Sequence, residues 1–460
     1  MTRPARPRAA VAALLLLVAG ACERDAPPPA GPSAPPNILV YVVDTLRADA
    51  LPAYGNTVVE TPTIDALAAD GVLYPEARSV SSWTRASVAS MLTGLYPEAH
   101  GVETRADAVA PELTLLPELL SGRGYTTAAI LTNPNLGSFY GFDQGFDTFV
   151  ELYDRSEAGP VSHDEPMETA DVTTDRAIAW LESTPEPFFL FVLAIDPHNP
   201  YRPPDGYDRY AGGYRGNADG SLRTLMRRDL SPADRDRVRS LYWGEVAFTD
   251  AQLGRLLEHL RQQGRSDRTA VLFTSDHGEE FWEHRGVGHG RTLFEESLRV
   301  PLIVRLPPAS PPLPPRPGAE SIDLFPTILD LARVETPTDV DGVSLFAGTD
   351  GDAPSTYASL RLDRRALRAL VQPPWKLVRD VKRDRDRLYD LDRDPAETRD
   401  VRTENASVAA RMRQELDTLV DRGLARRATA PQRADHDLPD DARALLEELG
   451  YLQPAIEPTE

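Results

Sequence analysis

Four apolar runs, rich in β-branched and aromatic residues, each end in a polar cluster. NILVYVV (37–43) leads to Asp44, and TTAAIL (126–131) to Thr132, Asn133 and Asn135. PFFLFVLAI (187–195) leads to Asp196 and His198, and TAVLFTS (269–275) to Asp276 and His277. Continuous apolar runs without alternation predict strands buried on both faces, as in a parallel sheet covered by helices. TPTIDALAADG (61–71) and DAQLGRLLEHLRQQG (250–264) carry helical spacing and fit crossover connections. The fold class expected is therefore α/β. Open α/β sheets bind ligands at the carboxyl ends of their strands, where each polar cluster falls. One Asp closing a strand is ordinarily a turn residue, but four such ends together describe a site. Asp44, Asp276 and His277 make a mixed oxygen and nitrogen set suited to a divalent metal.

The stretch SSWTRASVASMLTGLYP (81–97) sets five hydroxyls around the start of a helix expected to end near Gly94. Ser and Thr cap helices without doing chemistry, yet a helix N-terminus also favours an anion. The 460-residue chain is 41% hydrophobic with a net charge of −21. That balance argues against nucleic acid as a partner but not against a small anionic substrate whose pocket holds a metal. An Arg-rich start and a short apolar run lead to Cys22, the only cysteine, in an arrangement resembling a bacterial lipobox. The expectation is an exported chain, lipid-anchored at Cys22 in the cell envelope and without an internal disulfide. Glu23, next to that cysteine, points to the outer membrane or the periplasmic face. The proline-rich segment up to residue 36 reads as a semi-rigid tether.

From about Asn37 to Asp400 the chain resembles the sulfatase family of the alkaline phosphatase superfamily. The blocks that carry the resemblance include NILVYVVDTLRAD, ASMLTGLYPEAHGV, GYTTAAILTN, DPHNPY, SDHGEEFWEH, GHGRTLFEESLRVPLIV, DLFPTILDLA, WKLV and LYDLDRDPAETRDV. The resemblance implies an alkaline-phosphatase-like sandwich, with a central mostly parallel sheet flanked by helices and a small C-terminal α+β subdomain. The expected divisions are a signal peptide at 1–22, a tether at 23–36 and a catalytic domain at 37–351. A C-terminal subdomain at 352–423 and a tail with a short helix at 424–460 complete them.

Carried over position by position, the resemblance makes Asp44, Asp276 and His277 ligands of one divalent cation (Ca, Mg, Mn or Zn). Thr45 stands where many relatives have a second Asp. His198 matches a histidine that contacts the transferred group or its leaving oxygen, and His289 falls near a substrate-binding Lys or His. Asn133 and Asn135, in TNPNLG, replace the substrate-gripping Lys and His of the family's GKWHLG block. The formylglycine signature CxPxR admits two registers. Matching its Arg to Arg85 puts Ser81 at the nucleophile position, whereas anchoring on ASMLTGLYP puts Thr84 there. The longer anchor fixes the helix that presents the nucleophile and selects Thr84, which is also expected to touch the metal. Arg47 either braces Asp44 or meets the substrate anion, and Arg85 joins the substrate-binding set. A second metal on Asp196 with His198 or His289 stays open. His100 reads as a structural hydrogen-bonder, His163, His259 and His436 as loop or surface residues, and His284 as ambiguous.

These readings describe a hydrolase of sulfuric or phosphoric esters acting on an anionic substrate, free or linked to a glycan or lipid. Two alternatives accompany it: a transferase of phosphorylated headgroups to envelope glycans or lipids, and a catalytically silent binding lipoprotein.

Overall fold

The computed structural model describes residues 1–2, 34–152, 169–314, 316–348 and 354–429. Most of the expected signal and tether with Cys22, together with His163, His436 and the tail from residue 430, lies outside the described residues.

The four apolar runs become β1 (Asn37–Val43), β3 (Thr126–Leu131), β5 (Phe188–Ala194) and β6 (Thr269–Ser275). They share a sheet with β2 (Val72–Leu73) and β4 (Thr148–Glu151). A ribbon of β7 (Glu280–Phe281) and β8 (Val287–Gly288) then precedes β9 (Leu302–Arg305). The order across the large sheet is β2-β9-β6-β1-β5-β3-β4. β6, β1, β5, β3 and β4 run parallel, while β9 and β2 are antiparallel additions at one edge. Every residue of β1, β5 and β6 is buried. An extended backbone with side chains on both faces satisfies its amides in the ladder while two apolar cores form, one per face.

The register decides where the polar ends meet. Val43 pairs with Ser275 on one side and with Ala194 on the other. The next residue of β1, Asp44, therefore arrives beside Asp276.

Helices α1 (Pro62–Asp70), α2 (Thr84–Thr93), α3 (Ala170–Ser183), α4 (Pro232–Gln262) and α5 (Leu324–Ala332) surround the sheet. All ten residues of α2 are buried, so its hydroxyls must find internal partners. Ser87 Oγ donates to the Asp276 carbonyl at 2.7 Å, and Ser90 Oγ lies 3.0 Å from His100 Nε2. The helix stops at Gly94, whose φ of 70° and contact with the Phe325 ring leave no room for a side chain.

A second sheet, β10 (Thr356–Leu360), β11 (Leu367–Gln372), β12 (Trp375–Asp380) and β13 (Arg385–Asp390), is wholly antiparallel. One face packs Ala358, Leu360 and Val378 against Trp83 and Ala86 at the start of α2. The other face receives Met412 and Leu416 of α6 (Ala406–Thr429). α6 runs past the boundary expected at 423, where Arg426 pairs with Asp341 and Arg427 with Glu103, each at 2.6 Å. Lys376, fully buried on β12, ties the sheet to the segment that precedes β9. Its Nζ lies 2.9 Å from Glu295 and 2.9 Å from Glu397, and Glu295 also receives Arg78 at 2.8 Å.

Candidate active site

Asp44, Asp276 and His277 come together at the carboxyl ends of β1 and β6, all fully buried, with ligand atoms within 4.8 Å of one another. Asp276 Oδ1 accepts from the Thr45 and His277 amides at 3.1 and 2.8 Å. Asp44 Oδ2 accepts from Asn133 Nδ2 at 2.5 Å. The other oxygens, Asp44 Oδ1 and Asp276 Oδ2, have no hydrogen-bond donor. Burial, and then the Asp276 carboxylate, push Asp44 well above the usual carboxylate range. His277 Nδ1 must donate to the Gly278 carbonyl at 2.9 Å, which leaves a lone pair on Nε2. Two unpaired buried carboxylate oxygens beside a neutral imidazole nitrogen fit a divalent cation and are costly without one. Thr45, which holds φ at 57°, spends its hydroxyl on the Pro197 carbonyl at 3.1 Å. Strain in a β-branched residue at such a φ is typical of functional turns.

Thr84 begins α2 with its hydroxyl 3.2 Å from His277 Nε2. Ser81, the other candidate nucleophile, is buried with a hydroxyl that has no hydrogen-bond partner. Trp83, the residue immediately before the helix, packs with Ala86 and is 1% exposed.

His198 and His289 stand on the far side of the same space. Their rings are 5.0 Å apart, and that of His289 is 4.6 Å from His277. His198 Nδ1 donates to the Asn199 carbonyl at 2.6 Å, and His289 Nδ1 lies 3.2 Å from Glu279. Burial holds both imidazoles neutral, lowering His198 to about 3 and His289 to about 4. Glu279, pushed up to about 7 by burial, also accepts from the Tyr201 hydroxyl at 3.0 Å. Sequence reasoning passed over Glu279 and Tyr201. Their signal was the second acid of SDHGEE and the Tyr that closes DPHNPY.

The four residues expected to grip substrate are engaged by the protein. The Arg47 guanidinium is shared among Asp49, Glu283 and the Glu279 carbonyl. It braces the turn after β1 through these partners, none of which is the Asp44 it was expected to support. Arg85 is buried between the rings of Tyr140 and Trp83 and donates to the carbonyls of Asn135, Arg105 and Asp107. Its remaining nitrogen reaches Asn135 Oδ1 at 3.1 Å, and Asn135 Nδ2 donates to Asn133 Oδ1 at 3.2 Å. A continuous chain of hydrogen bonds thus joins Arg85, Asn135, Asn133 and Asp44. The physical reason for the difference is demand: a buried guanidinium and a buried carboxylate take the amide groups first. Asp196 is spent on the first amide of α3, which it accepts at 2.7 Å, and so is not placed as a second-metal ligand. His284 stacks on Phe294 and pairs with Glu296 at 2.7 Å.

Residues 36–334 match the family described as Sulfatase, and residues 283–422 match N-sulphoglucosamine sulphohydrolase, C-terminal. An N-acetylglucosamine-6-O-sulfatase of Bacteroides thetaiotaomicron is 26% identical over 407 residues, covering 67% of this chain and 70% of the relative. A solved structure in complex with D-glucosamine-2-N,6-O-disulfate superposes with a TM-score of 0.71 at 23% identity, over 84% of this chain and 98% of its own. The phosphonate monoester hydrolase of Agrobacterium radiobacter superposes with a TM-score of 0.70 at 23% identity, over 85% and 96%. With the first match spanning well over half of the sequence, the chain belongs to the sulfatase family.

Proposed function

We propose that this sulfatase-family hydrolase cleaves a sulfuric or phosphoric ester of a glycan with unmodified Thr84 as nucleophile. The observation that carries the reading is the Thr84 hydroxyl, 3.2 Å from His277 Nε2 at the first residue of a buried helix. Asp44, Asp276 and His277 would hold the divalent cation, and imidazole among the ligands favours Mn or Zn over Ca. When bound, such an ion lowers the pKa of a hydroxyl and offsets charge on the transferring group. Thr84 Oγ attacks sulfur or phosphorus in line and forms a covalent ester while the protonated alcohol leaves, and water then cleaves that ester, releasing sulfate or phosphate and restoring the hydroxyl. The amides of the first turn of α2 point at the anion that develops. His198 and His289, their Nδ1 protons held by Asn199 and Glu279, turn Nε2 toward the reacting group and exchange protons there. The names of the relatives support a glycan as the alcohol. Cys22 is proposed as a lipid attachment site in the cell envelope on the sequence alone, and labelled fatty acid should enter the chain but not Cys22→Ser.

The test is turnover of matched aryl sulfate, phosphate monoester and phosphodiester by the full chain in Mg, Ca, Mn or Zn. Thr84→Ala is expected to lower kcat by at least about 10³-fold, whereas Ser81→Ala keeps most of it. A dead Ser81→Ala beside an active Thr84→Ala would show that the nucleophile is Ser81.

A further inference from the structure

A chain of net charge −21 repels polyanions, yet the segments bordering the nucleophile are basic. Three of them converge on residues 82–85. Arg105 comes from the loop whose carbonyl Arg85 holds at 2.8 Å. Arg291 follows Gly290, whose amide donates to Ser82 at 2.8 Å. The β10–β11 turn, RLDRRA (361–366), lays Leu362 against Gly290 and Asp363 against Arg105, the latter at 2.8 Å. Arg291, Arg364 and Arg365 are exposed and have no ion-pair partner among the described residues. Arg361 shares Glu103 with Arg427. The acids nearby are largely committed: Asp363 to Arg105, Glu103 to those two arginines, and Asp107 to the amides of Glu103 and Thr104. Five arginines (Arg105, Arg291, Arg361, Arg364 and Arg365) against three carboxylates leave a positive rim beside His289, on the side of the site where the C-terminal subdomain meets it.

We infer that this rim, Arg291 with Arg105 and the arginines of the β10–β11 turn, binds a second anionic group of a glycan whose ester lies at Thr84. The inference rests on the ester-hydrolase reading and narrows it to polyanionic glycans, since a substrate with a single charged group never reaches the turn. Exposed guanidinium groups suit sulfate, phosphate or carboxylate, which they hold bidentately. The global negative charge restricts the attraction to this rim, so its reach is about one Debye length, ~8 Å at physiological salt.

The test measures binding separately from turnover. Calorimetry with the full chain carrying Thr84→Ala, so that the probe survives, uses a sulfated heparin hexasaccharide and uncharged chitohexaose at about 50 mM salt. The hexasaccharide is expected to bind, chitohexaose is not, and Arg291→Ser with Arg364→Ser should raise Kd by about tenfold or more. The same charge change at Arg393→Ser with Arg402→Ser, on the exposed loop after β13, should leave Kd within about twofold. Equal loss in the two double variants, no loss in the first, or equal binding of chitohexaose overturns the inference. Turnover of small aryl esters by the unmutated chain tests the ester reading on its own, so rim-dependent binding without turnover would remove only that reading.

Discussion

Asn133 has its amide nitrogen committed to Asp44, and losing it strands a third buried carboxylate oxygen in a site that already has two. Asn133→Ala is expected to weaken divalent-metal affinity by about 10–100-fold, read by metal titration with the fold checked by circular dichroism. Arg85 sits at the other end of the same chain of hydrogen bonds, a buried cation lowered to about 10 by desolvation, with carbonyls and an amide for partners. A Lys at that position reproduces neither the fork nor the stacking on Tyr140. Arg85→Lys should cost about 2–4 kcal/mol in urea unfolding. The sequence marked Asp44, Asp276, His277 and Thr84 correctly as neighbours because each ends a strand or starts a helix, and such positions are fixed by periodicity. It did not show that Asn133, Asn135, Arg47 and Arg85, read as substrate contacts, are engaged by the protein's own groups. Which side chain consumes which amide depends on pairs such as Arg85 with Asn135, 50 residues apart, that no local pattern encodes.

Among the elements, the C-terminal sheet owes its attachment to a buried cation. Lys376 pairs with Glu295 and Glu397, which lie on segments outside the small sheet, so Lys376→Met leaves Glu295 with Arg78 alone and Glu397 without its ion-pair partner. The expected loss is about 3–5 kcal/mol. Differential protection in hydrogen exchange should show β10–β13 opening before β1, β5 and β6. Strands were the legible elements, and all four apolar runs became strands within a residue of the expected bounds. Helix α4 was not: the reading reached only its last half, from 250, whereas it begins at Pro232. Its first half mixes charges with Tyr242, Trp243 and Gly244, which hides the 3.6-residue period. Gly244 is there because Pro203 and the Tyr207 carbonyl approach to within 2.8 and 2.7 Å of where a Cβ would stand.

For the molecule as a whole, stability should fall as the pH rises from 6.5 to 8. Glu320 accepts from the Tyr357 amide and the Tyr96 hydroxyl, and burial pushes it up to about 8. Glu397 is pushed up to about 7 by the same cause. The folded chain retains protons there that unfolded carboxyls, near 4.5, have already lost, so each contribution present at low pH disappears through the folded pKa. Melting temperatures at pH 6.5 and 8 check this, and Glu320→Gln should flatten the slope. The α/β class, the mostly parallel sheet and the small antiparallel subdomain were all legible, because apolar runs and family blocks survive at 23% identity to the solved relatives. The basic rim was not, since its members come from residues 105, 291 and 361–365 and only the folded chain collects them. Sheet order also bears on how this protein is made. β1 lies at the centre, yet its neighbours β5 and β6 are translated 151 and 232 residues later. At about 5–20 residues per second, roughly 10 to 50 s pass before its second edge is covered. Through that interval β1, apolar except for Asn37, keeps at least one ladder edge open, a template for aggregation until residue 275 has emerged.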